Sequence, residues 1–210
     1  MPAWGTCTSR KLFMPETFTE ARRACFAVLD FETTGAVEGY PVEPWQLGLV
    51  RVREGKVCPD EAFESLMHVG ARPFNPRAPG RHAQLREQLA AAAPPGALWP
   101  ELAPWLTGVP LVAHNAGTER TMLNKLAPLH RLGPWVDTLL LVRRAYPGLA
   151  SKALEDVVTE LGLTARVQAL CPGREAHDAL YDAFACAAVL EHFLRLPGWE
   201  RVTVEALAGK

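Results

Sequence analysis

The sequence predicts an α/β layered fold with a mixed sheet. Three strand-like segments come first in the chain, and helical segments then alternate with two short strands. The turn signals between the early strands favour an antiparallel meander. A length of 210 residues favours one domain. Hydrophobic residues make up 49% and charged residues 21%, which is typical of a globular protein with a substantial core.

The first third of the chain contains the predicted meander. Residues 1–15 lack periodicity and are predicted to be an arm, and a short helix is predicted over 16–24. The apolar run 25–32 is predicted to be a buried strand that ends at a Thr-Thr-Gly turn. Two further strands are predicted, with a glycine-containing turn at 53–56 between them, and they cover residues 46–52 and 61–69.

The rest of the chain alternates between helices and strands. A loop rich in proline and glycine is predicted at 72–80, and a second loop at 164–176. The apolar segments 110–115 and 135–138 are predicted to be short strands. Helices are predicted from apolar periodicity and end signals, and they cover residues 81–93, 98–107, 118–131, 139–146, 151–161 and 177–196.

Composition limits the setting and the partners. The net charge of −1 excludes a broad basic surface that would drive non-specific duplex binding, so a nucleic-acid contact would be local. No window reaches the roughly 18 apolar residues that a membrane span needs. An odd number of cysteines without CxxC spacing indicates a reduced, cytoplasmic setting. We expect an arm with a short helix over 1–24, one domain over 25–196 and a tail over 197–210.

Two carboxylates mark the end of the first strand. Asp30 and Glu32 stand at positions i and i+2, so their side chains project from one face of the strand. On an apolar strand two such groups repel each other, and leaving them unpaired is costly. A divalent cation such as magnesium or manganese would resolve both problems. The alternative, that the strand simply ends and both groups are solvated, is equally open for this pair alone.

The last long helix carries a second candidate group. Asp182 lies among apolar neighbours, where an aspartate is unfavourable without a partner. His177 lies at the first turn or in the preceding loop, and a neutral imidazole there could take a proton from water. A surface histidine in a loop is the simpler reading of His177 by itself. Asp178 is interpreted as a first-turn acid that suits the helix dipole.

A third segment follows the strand over 110–115. His114 and Asn115 end this strand, and Glu119 lies near the start of the next helix. In isolation, Glu119 is explained by the helix dipole, and His114 by a buried histidine whose nitrogens are satisfied. Asp137 and Ser151 are both predicted to cap the helices that follow them.

Together the three segments resemble the DEDD exonuclease superfamily, in its histidine-containing branch. This branch includes the proofreading ε-type subunits of DNA polymerase III. The resemblance covers about residues 25–195 and rests on three ordered motifs: Asp30-Phe31-Glu32-Thr33-Thr34-Gly35, then Ala113-His114-Asn115-Ala116 with Glu119, then His177 and Asp182. One position departs from the family pattern, because the family usually has aspartate where this chain has Glu119.

The resemblance implies an RNase H-like fold, with a mixed five-stranded sheet and helices on both faces, and two-metal hydrolysis with Mg²⁺ or Mn²⁺. It implies that Asp30, Glu32 and Asp182 share one ion, that Asp30 and more weakly Glu119 hold the second, and that His177 is the general base. Contacts to the terminal nucleotide are expected from Phe31, Thr33, Thr34, Gly35, His114 and Asn115. The expected partners are nucleic-acid 3′ ends, preferably single-stranded, and a polymerase or repair protein.

Three functions remain open from the sequence. The first is a 3′→5′ exonuclease that acts on DNA. The three acidic segments favour it, and so does the stretch over residues 135–163, which also resembles the ε-type subunits. The second is an exoribonuclease with the same chemistry, since no residue in the sequence indicates recognition of the 2′-hydroxyl. The third is a binding module that kept the fold but lost turnover, and Glu119 is the only feature that motivates it.

Overall fold

A computed structural model of the protein describes residues 19–209. Its centre is one five-stranded sheet in the order β3-β2-β1-β4-β5. The first three strands are antiparallel neighbours, and β4 and β5 continue the sheet in parallel with β1. The strands are β1 (Cys25–Thr33), β2 (Pro44–Arg53), β3 (Lys56–Leu66), β4 (Leu111–Ala113) and β5 (Trp135–Asp137). The mixed sheet that the sequence predicts is therefore confirmed.

Helices occupy both faces of this sheet. Two short 3-10 helices, Ala21–Arg23 and Pro95–Leu98, accompany the α-helices. The α-helices are α1 (Arg86–Ala91), α2 (Trp99–Leu106), α3 (Gly117–Leu126), α4 (Thr138–Ala145), α5 (Leu154–Glu160), α6 (Thr164–Leu170), α7 (Ala179–Arg195) and α8 (Val204–Leu207).

Strand β1 is central because both of its faces are buried. Phe26 and Val28 point into the core that α4 to α8 cover. The alternate residues Leu29 and Phe31 point into the opposite core, against α2 and α3. A nearly continuous apolar run is what a strand with two buried faces requires. The two carboxylates at the end of β1 are therefore exceptions to the pattern of their own strand.

Helix α7 lies directly against β2 at the level of the acidic residues. Gly48 on β2 pairs with Asp30 on β1. A Cβ atom on Gly48 would lie 2.3 Å from the carbonyl oxygen of Ala179, the first residue of α7. Only a glycine lets the two backbones approach this closely. The start of α7 is thereby held beside the end of β1.

The third strand begins earlier than the sequence predicts. Glu54 and Gly55 both have positive φ, so the turn after β2 is tight and β3 starts at Lys56 rather than Glu61. The register between β2 and β3 shifts between Val50 and Arg51, opposite Pro59 to Glu61. Proline cannot donate a ladder hydrogen bond, and a bulge accommodates it. Pro59, Asp60 and Glu61 interrupt the alternation of apolar and polar residues, so the first half of β3 lacks the sequence pattern of a strand.

Other boundaries also differ from the prediction. The prediction of a loop over 164–176 is wrong in its first half, because α6 occupies Thr164–Leu170 and buries Val167 and Leu170. One apolar pair in seven residues is too short a pattern to stand out. Helix α3 ends at Leu126, two residues before a proline. Ser151 does not cap α5, whose N-cap is Ala153.

The chain ends pack against each other where they are described. The predicted arm over 1–15 and residues 16–18 of the predicted helix lie outside the described residues. The remainder of that helix forms only the 3-10 turn Ala21–Arg23. Glu20 pairs with Thr203, and Val204 and Leu207 of α8 are buried. From Thr19 to Gly209, every helix is too short or too polar to traverse a lipid bilayer.

We expect Gly48→Ala to destabilise the fold by about 1–3 kcal/mol, because the new methyl group must displace the backbone of α7. The free energy of unfolding in urea measures this effect. Gly96→Ala is the matched control, since a Cβ there would meet no atom within 4 Å. Equal urea midpoints for the two variants would contradict the close contact between β2 and α7.

Candidate active site

The end of β1 supplies the first two carboxylates of the site. Asp30 and Glu32 project from the same face, as the strand period requires. Glu32 is only 7% exposed, and Asp30 is partly buried. The pairing of β1 with β2 continues to Thr33, so both side chains are held by strand backbone rather than by a mobile loop.

Strand β4 brings the third carboxylate to the same edge of the sheet. It runs parallel to β1, with Val28 opposite Val112, so the carboxyl ends of the two strands lie side by side. The chain then turns through His114 and Asn115 into α3, whose first turn carries Glu119. The Asp137 carboxylate, which caps α4 as predicted, also accepts hydrogen bonds from the backbone N–H groups of Asn115 (3.0 Å) and Ala116 (3.1 Å). This contact fixes the turn.

Helix α7 supplies the fourth carboxylate. Asp182 lies in its first turn and is 9% exposed. Its Oδ2 atom accepts a hydrogen bond from the backbone N–H of His177 at 2.9 Å. Asp178 is the N-cap and accepts hydrogen bonds from Leu180 and Tyr181. Its carboxylate is also paired with Arg81 and Arg174, so Asp178 stabilises the helix start and is not part of the acidic cluster.

The four carboxylates line one cleft of about 440 Å³. The carboxyl oxygens of Glu32 and Asp182 and a ring nitrogen of His177 lie within 4.8 Å of one another. The cleft is also lined by Phe31, His114 and Asn115. The structure thus brings together all five residues predicted to be catalytic and three of the six predicted to contact substrate.

The other three predicted substrate contacts shape the turn beside the cleft and do not line it. Thr34 is buried, and its hydroxyl accepts a hydrogen bond from the Glu43 N–H at 3.1 Å. Gly35 has φ of +68°, and a Cβ there would lie 2.8 Å from the Cβ of Asn75. Thr33 accepts a hydrogen bond from the Gly35 N–H at 3.4 Å. The motif over residues 30–35 therefore supplies two carboxylates that could hold a metal ion. They are followed by a turn whose shape depends on Thr33, Thr34 and Gly35.

His114 lies at the cleft with both ring nitrogens occupied. One contacts the Thr138 hydroxyl at 2.9 Å, and the other contacts the Lys152 carbonyl oxygen at 2.8 Å. Burial lowers the pKa of His114, and the Lys152 carbonyl opposes this shift. The expectation of a histidine with satisfied ring nitrogens is therefore met, although the residue is only partly buried. His114 links β4 to the segment before α5.

Glu155 is a cleft residue that the sequence analysis missed. It lies in the first turn of α5, and its Oε1 atom is 3.2 Å from Nε2 of His177. His177 itself has a positive φ of 64°, which is unusual for a residue with a side chain. About half of each side chain is exposed. An exposed acid in a helical first turn has no pattern that would distinguish it, because the contact exists only in three dimensions.

The electrostatics of the cleft favour protonated carboxyl groups in the absence of a cation. Burial, followed by repulsion from Asp30 and Asp182, raises the pKa of Glu32 to about 9. Burial raises the pKa of Glu119 to about 7. The pKa values of Asp30 and Asp182 are also raised, first by burial and then by neighbouring carboxylates. At neutral pH the four groups are therefore not all ionised together unless positive charge lies among them.

The donor set fits divalent cations. The Oε2 atom of Glu119 is buried and has no hydrogen-bond partner among the described residues. A buried carboxylate oxygen without a partner is costly, and a cation would satisfy it. All four carboxylates offer oxygen ligands, which Mg²⁺ and Mn²⁺ prefer. We conclude that Asp30, Glu32, Glu119 and Asp182 could hold metal ions.

Comparisons with known proteins agree with this geometry. The RNase_T family model, described as an exonuclease, matches residues 27–190. Exodeoxyribonuclease 10 of Escherichia coli (strain K12) is 28% identical over 187 residues, which cover 87% of this chain and 74% of the relative. A DNA polymerase III subunit epsilon-like protein of Rhodobacter capsulatus is 29% identical over 181 residues, which cover 85% of this chain and 24% of the relative.

A solved structure of a similar protein shares the fold. Exonuclease X in complex with 5′ overhanging duplex DNA superimposes with a TM-score of 0.65 and 25% sequence identity. The match covers 88% of this chain and 99% of that chain. The RNase H-like arrangement implied by the sequence motifs is therefore confirmed.

We expect the metal-free protein to lose stability as the pH rises from about 6 to about 9. The raised pKa values of Glu119 and Glu32 mean that the folded state binds protons that the unfolded chain releases. This stabilising contribution is complete below the unfolded-state values, near pH 4, and is lost as the pH passes about 7 and about 9. The melting temperature in EDTA at several pH values measures the effect.

Manganese should raise the melting temperature, and more at the higher pH, because cations and protons compete for the same oxygens. The Glu32→Gln variant serves as the control and should show a weaker pH dependence and a smaller manganese shift. A manganese shift of equal size in Glu32→Gln and the parent would contradict the assignment of Glu32 as a ligand.

Proposed function

Because the chain belongs to the RNase_T exonuclease family, we propose that it removes nucleoside monophosphates from 3′ ends with two divalent ions, more readily from DNA than from RNA. The chain is a 3′→5′ exonuclease of the histidine-containing DEDD branch, and it hydrolyses phosphodiester bonds. Members of this family use divalent metal ions. The observation that carries the proposal is the convergence of four carboxylates and His177 in one cleft.

The four carboxylates divide between two positions. We assign Asp30, Glu32 and Asp182 to one ion, because Glu32 and Asp182 come within 4.8 Å of each other and Asp30 repels both. The second ion is assigned to Asp30 and Glu119, because, after burial, repulsion from Glu119 raises the pKa of Asp30, and this repulsion requires the two carboxylates to be close. When bound, two such ions supply positive charge to the attacking and leaving oxygens of an in-line displacement. The longer side chain of Glu119 still delivers an unpartnered oxygen to the cleft.

His177 is assigned as the group that takes the proton from the attacking water. Its ring lies at the cleft beside Glu32 and Asp182, and about half of its side chain is exposed. In this position of the ring, the Nε2 atom lies 3.2 Å from Oε1 of Glu155. The exposed setting leaves room for the ring to turn toward a bound strand.

Phe31 and Asn115 are assigned to the terminal nucleotide. Both line the cleft, and Asn115 follows β4 with a positive φ of 65° that the Asp137 carboxylate supports. Thr33, Thr34 and Gly35 are assigned an indirect role, because their hydrogen bonds and close contacts shape the turn after β1. His114 is assigned to positioning Lys152 and the start of α5.

The choice of substrate follows from the relatives. The similarity to an exodeoxyribonuclease favours DNA, and we propose single-stranded 3′ ends as the preferred substrate. The similarity to an epsilon-like protein favours a polymerase or repair partner. The four described cysteines are free thiols, which supports a cytoplasmic setting.

We expect Asp30→Asn to slow release of nucleoside monophosphates by more than about a hundredfold, because the substitution removes a carboxylate that both ions share. The measurement uses a labelled single strand with Mg²⁺ or Mn²⁺. Matched DNA and RNA oligonucleotides, assayed side by side, test the preference for DNA, and equal rates would remove it. Asp156→Asn is the matched control, since Asp156 is an exposed acid on α5. Digestion by Asp30→Asn at the parent rate would overturn the proposed function.

The rate of the parent should fall in acid, because a protonated imidazole at His177 can no longer accept a proton from the attacking water. The His177→Ala variant should have a low rate with a flatter acid limb. The pH–rate profile, measured at saturating metal, tests this role. A profile of His177→Ala that matches the parent in both rate and shape would exclude His177 as the base.

A further inference from the structure

A second cavity of about 550 Å³ lies beside the active-site cleft and shares no lining residue with it. We call it the arginine pocket. It is formed by the segment after β3 together with α1, and its lining includes His68, Arg72, Phe74, His82, Arg86 and Leu89. Its volume falls within the range of small-ligand sites, so a nucleotide base fits it.

The arginine pocket is separated from the carboxylates by one tryptophan and one glycine. Phe74 and His82 both make edge-to-face contacts with the buried ring of Trp45, at centroid distances of 6.5 and 6.2 Å. A Cβ on Gly80 would lie 3.1 Å from that ring and 3.4 Å from Oε2 of Glu32. A strand with its end in the cleft would therefore reach the pocket within a few nucleotides.

Charge is concentrated in the same segment. Residues 67–90 contain four arginines and a single acid, in a chain whose net charge is −1. Arg72 is paired with Glu43, and Arg81 with Asp178. Arg77 and Arg86 are exposed and have no carboxylate partner among the described residues. Two unpaired cations beside an acidic cleft match the phosphates of a nucleic-acid strand.

The pocket also offers aromatic surface. Phe74 and His82 are stacked, with ring centroids 4.4 Å apart and an angle of 9° between the planes. Aromatic rings of this kind bind nucleic-acid bases by stacking, whatever the base identity. The combination of a ring face, a cavity and free arginines is the pattern of sites that bind single strands without sequence preference.

We propose that the arginine pocket binds the substrate strand upstream of its 3′-terminal nucleotide, with one base against Phe74 and the adjacent phosphates on Arg77 and Arg86. This inference rests on the proposed exonuclease function, because the strand bound there is the one that enters the cleft. It explains how a chain without a broad basic surface holds a polyanion.

The test combines binding and activity. Binding of a fluorescent oligonucleotide of about twelve thymidines is measured in EDTA, where no digestion occurs, at several salt concentrations. The double variant Arg77→Ala/Arg86→Ala should bind more weakly, and its slope of log affinity against log salt should shrink by about 1.4, as two lost single-strand phosphate contacts require. Phe74→Leu keeps the apolar volume but should weaken binding about fivefold or more.

Two controls make the test specific. Arg144→Ala/Arg201→Ala removes the same charge from exposed positions outside the arginine pocket and should keep the parent slope. The p-nitrophenyl ester of thymidine 5′-monophosphate reaches only the cleft, so Arg77→Ala/Arg86→Ala should hydrolyse it at the parent rate while its kcat/KM on the oligonucleotide falls about tenfold.

Parent-like affinity and salt slope in Arg77→Ala/Arg86→Ala would overturn the arginine pocket. An equal loss on the ester and the oligonucleotide would also overturn it, since the effect would then originate in the cleft. If the parent hydrolyses neither substrate, the proposed function fails, whereas the salt slopes in EDTA still decide whether the pocket binds the strand.

Discussion

The crowding of four carboxylates at one end of the sheet is the constraint on which the rest of this structure depends. Glu32 and Glu119 are almost fully buried, and Asp182 is nearly so. Burial raises the pKa of every member of the group, and repulsion within the group raises the pKa values of Asp30, Glu32 and Asp182 further. An apolar core does not tolerate such a cluster unless a cation or protons neutralise it. The fold therefore holds the four carboxylates in a cleft where bound cations would both neutralise them and take part in hydrolysis.

Rigid elements hold the cluster in place. Two of the carboxylates stand on β1, the central strand, and the other two stand in the first turns of α3 and α7. Gly48 allows α7 to approach β2, and the Asp137 carboxylate ties the turn after β4 to β5 and α4. Buried Gln46 accepts a hydrogen bond from the Ala179 N–H and donates one to Glu64. Polar contacts and close packing thus fix the direction of each acid.

Two of the three described non-glycine residues with positive φ lie at the same site. Asn115 and His177 both have φ near +65°, a conformation that costs free energy in residues with a side chain. The backbone N–H of Asn115 donates a hydrogen bond to the Asp137 carboxylate, and the backbone N–H of His177 donates one to the Asp182 carboxylate. On the other side of His177, Asp178 is clamped by Arg81 and Arg174. The network of ion pairs therefore supports the segment that carries the proposed base.

The sequence by itself determined the order of the five strands, the sheet type and the candidate ligands, but it missed α6 and α8. An apolar run interrupted by Asp30 and Glu32, and an aspartate inside the apolar face of α7, are local contradictions that a pattern can reveal. Only the tertiary structure decided which residues meet. The contact of Glu155 with His177 joins α5 to the segment before α7, and the arginine pocket lies beside the cleft because Phe74 and His82 pack against Trp45 of β2. Such contacts leave no period in the sequence, because they are set by how the elements pack.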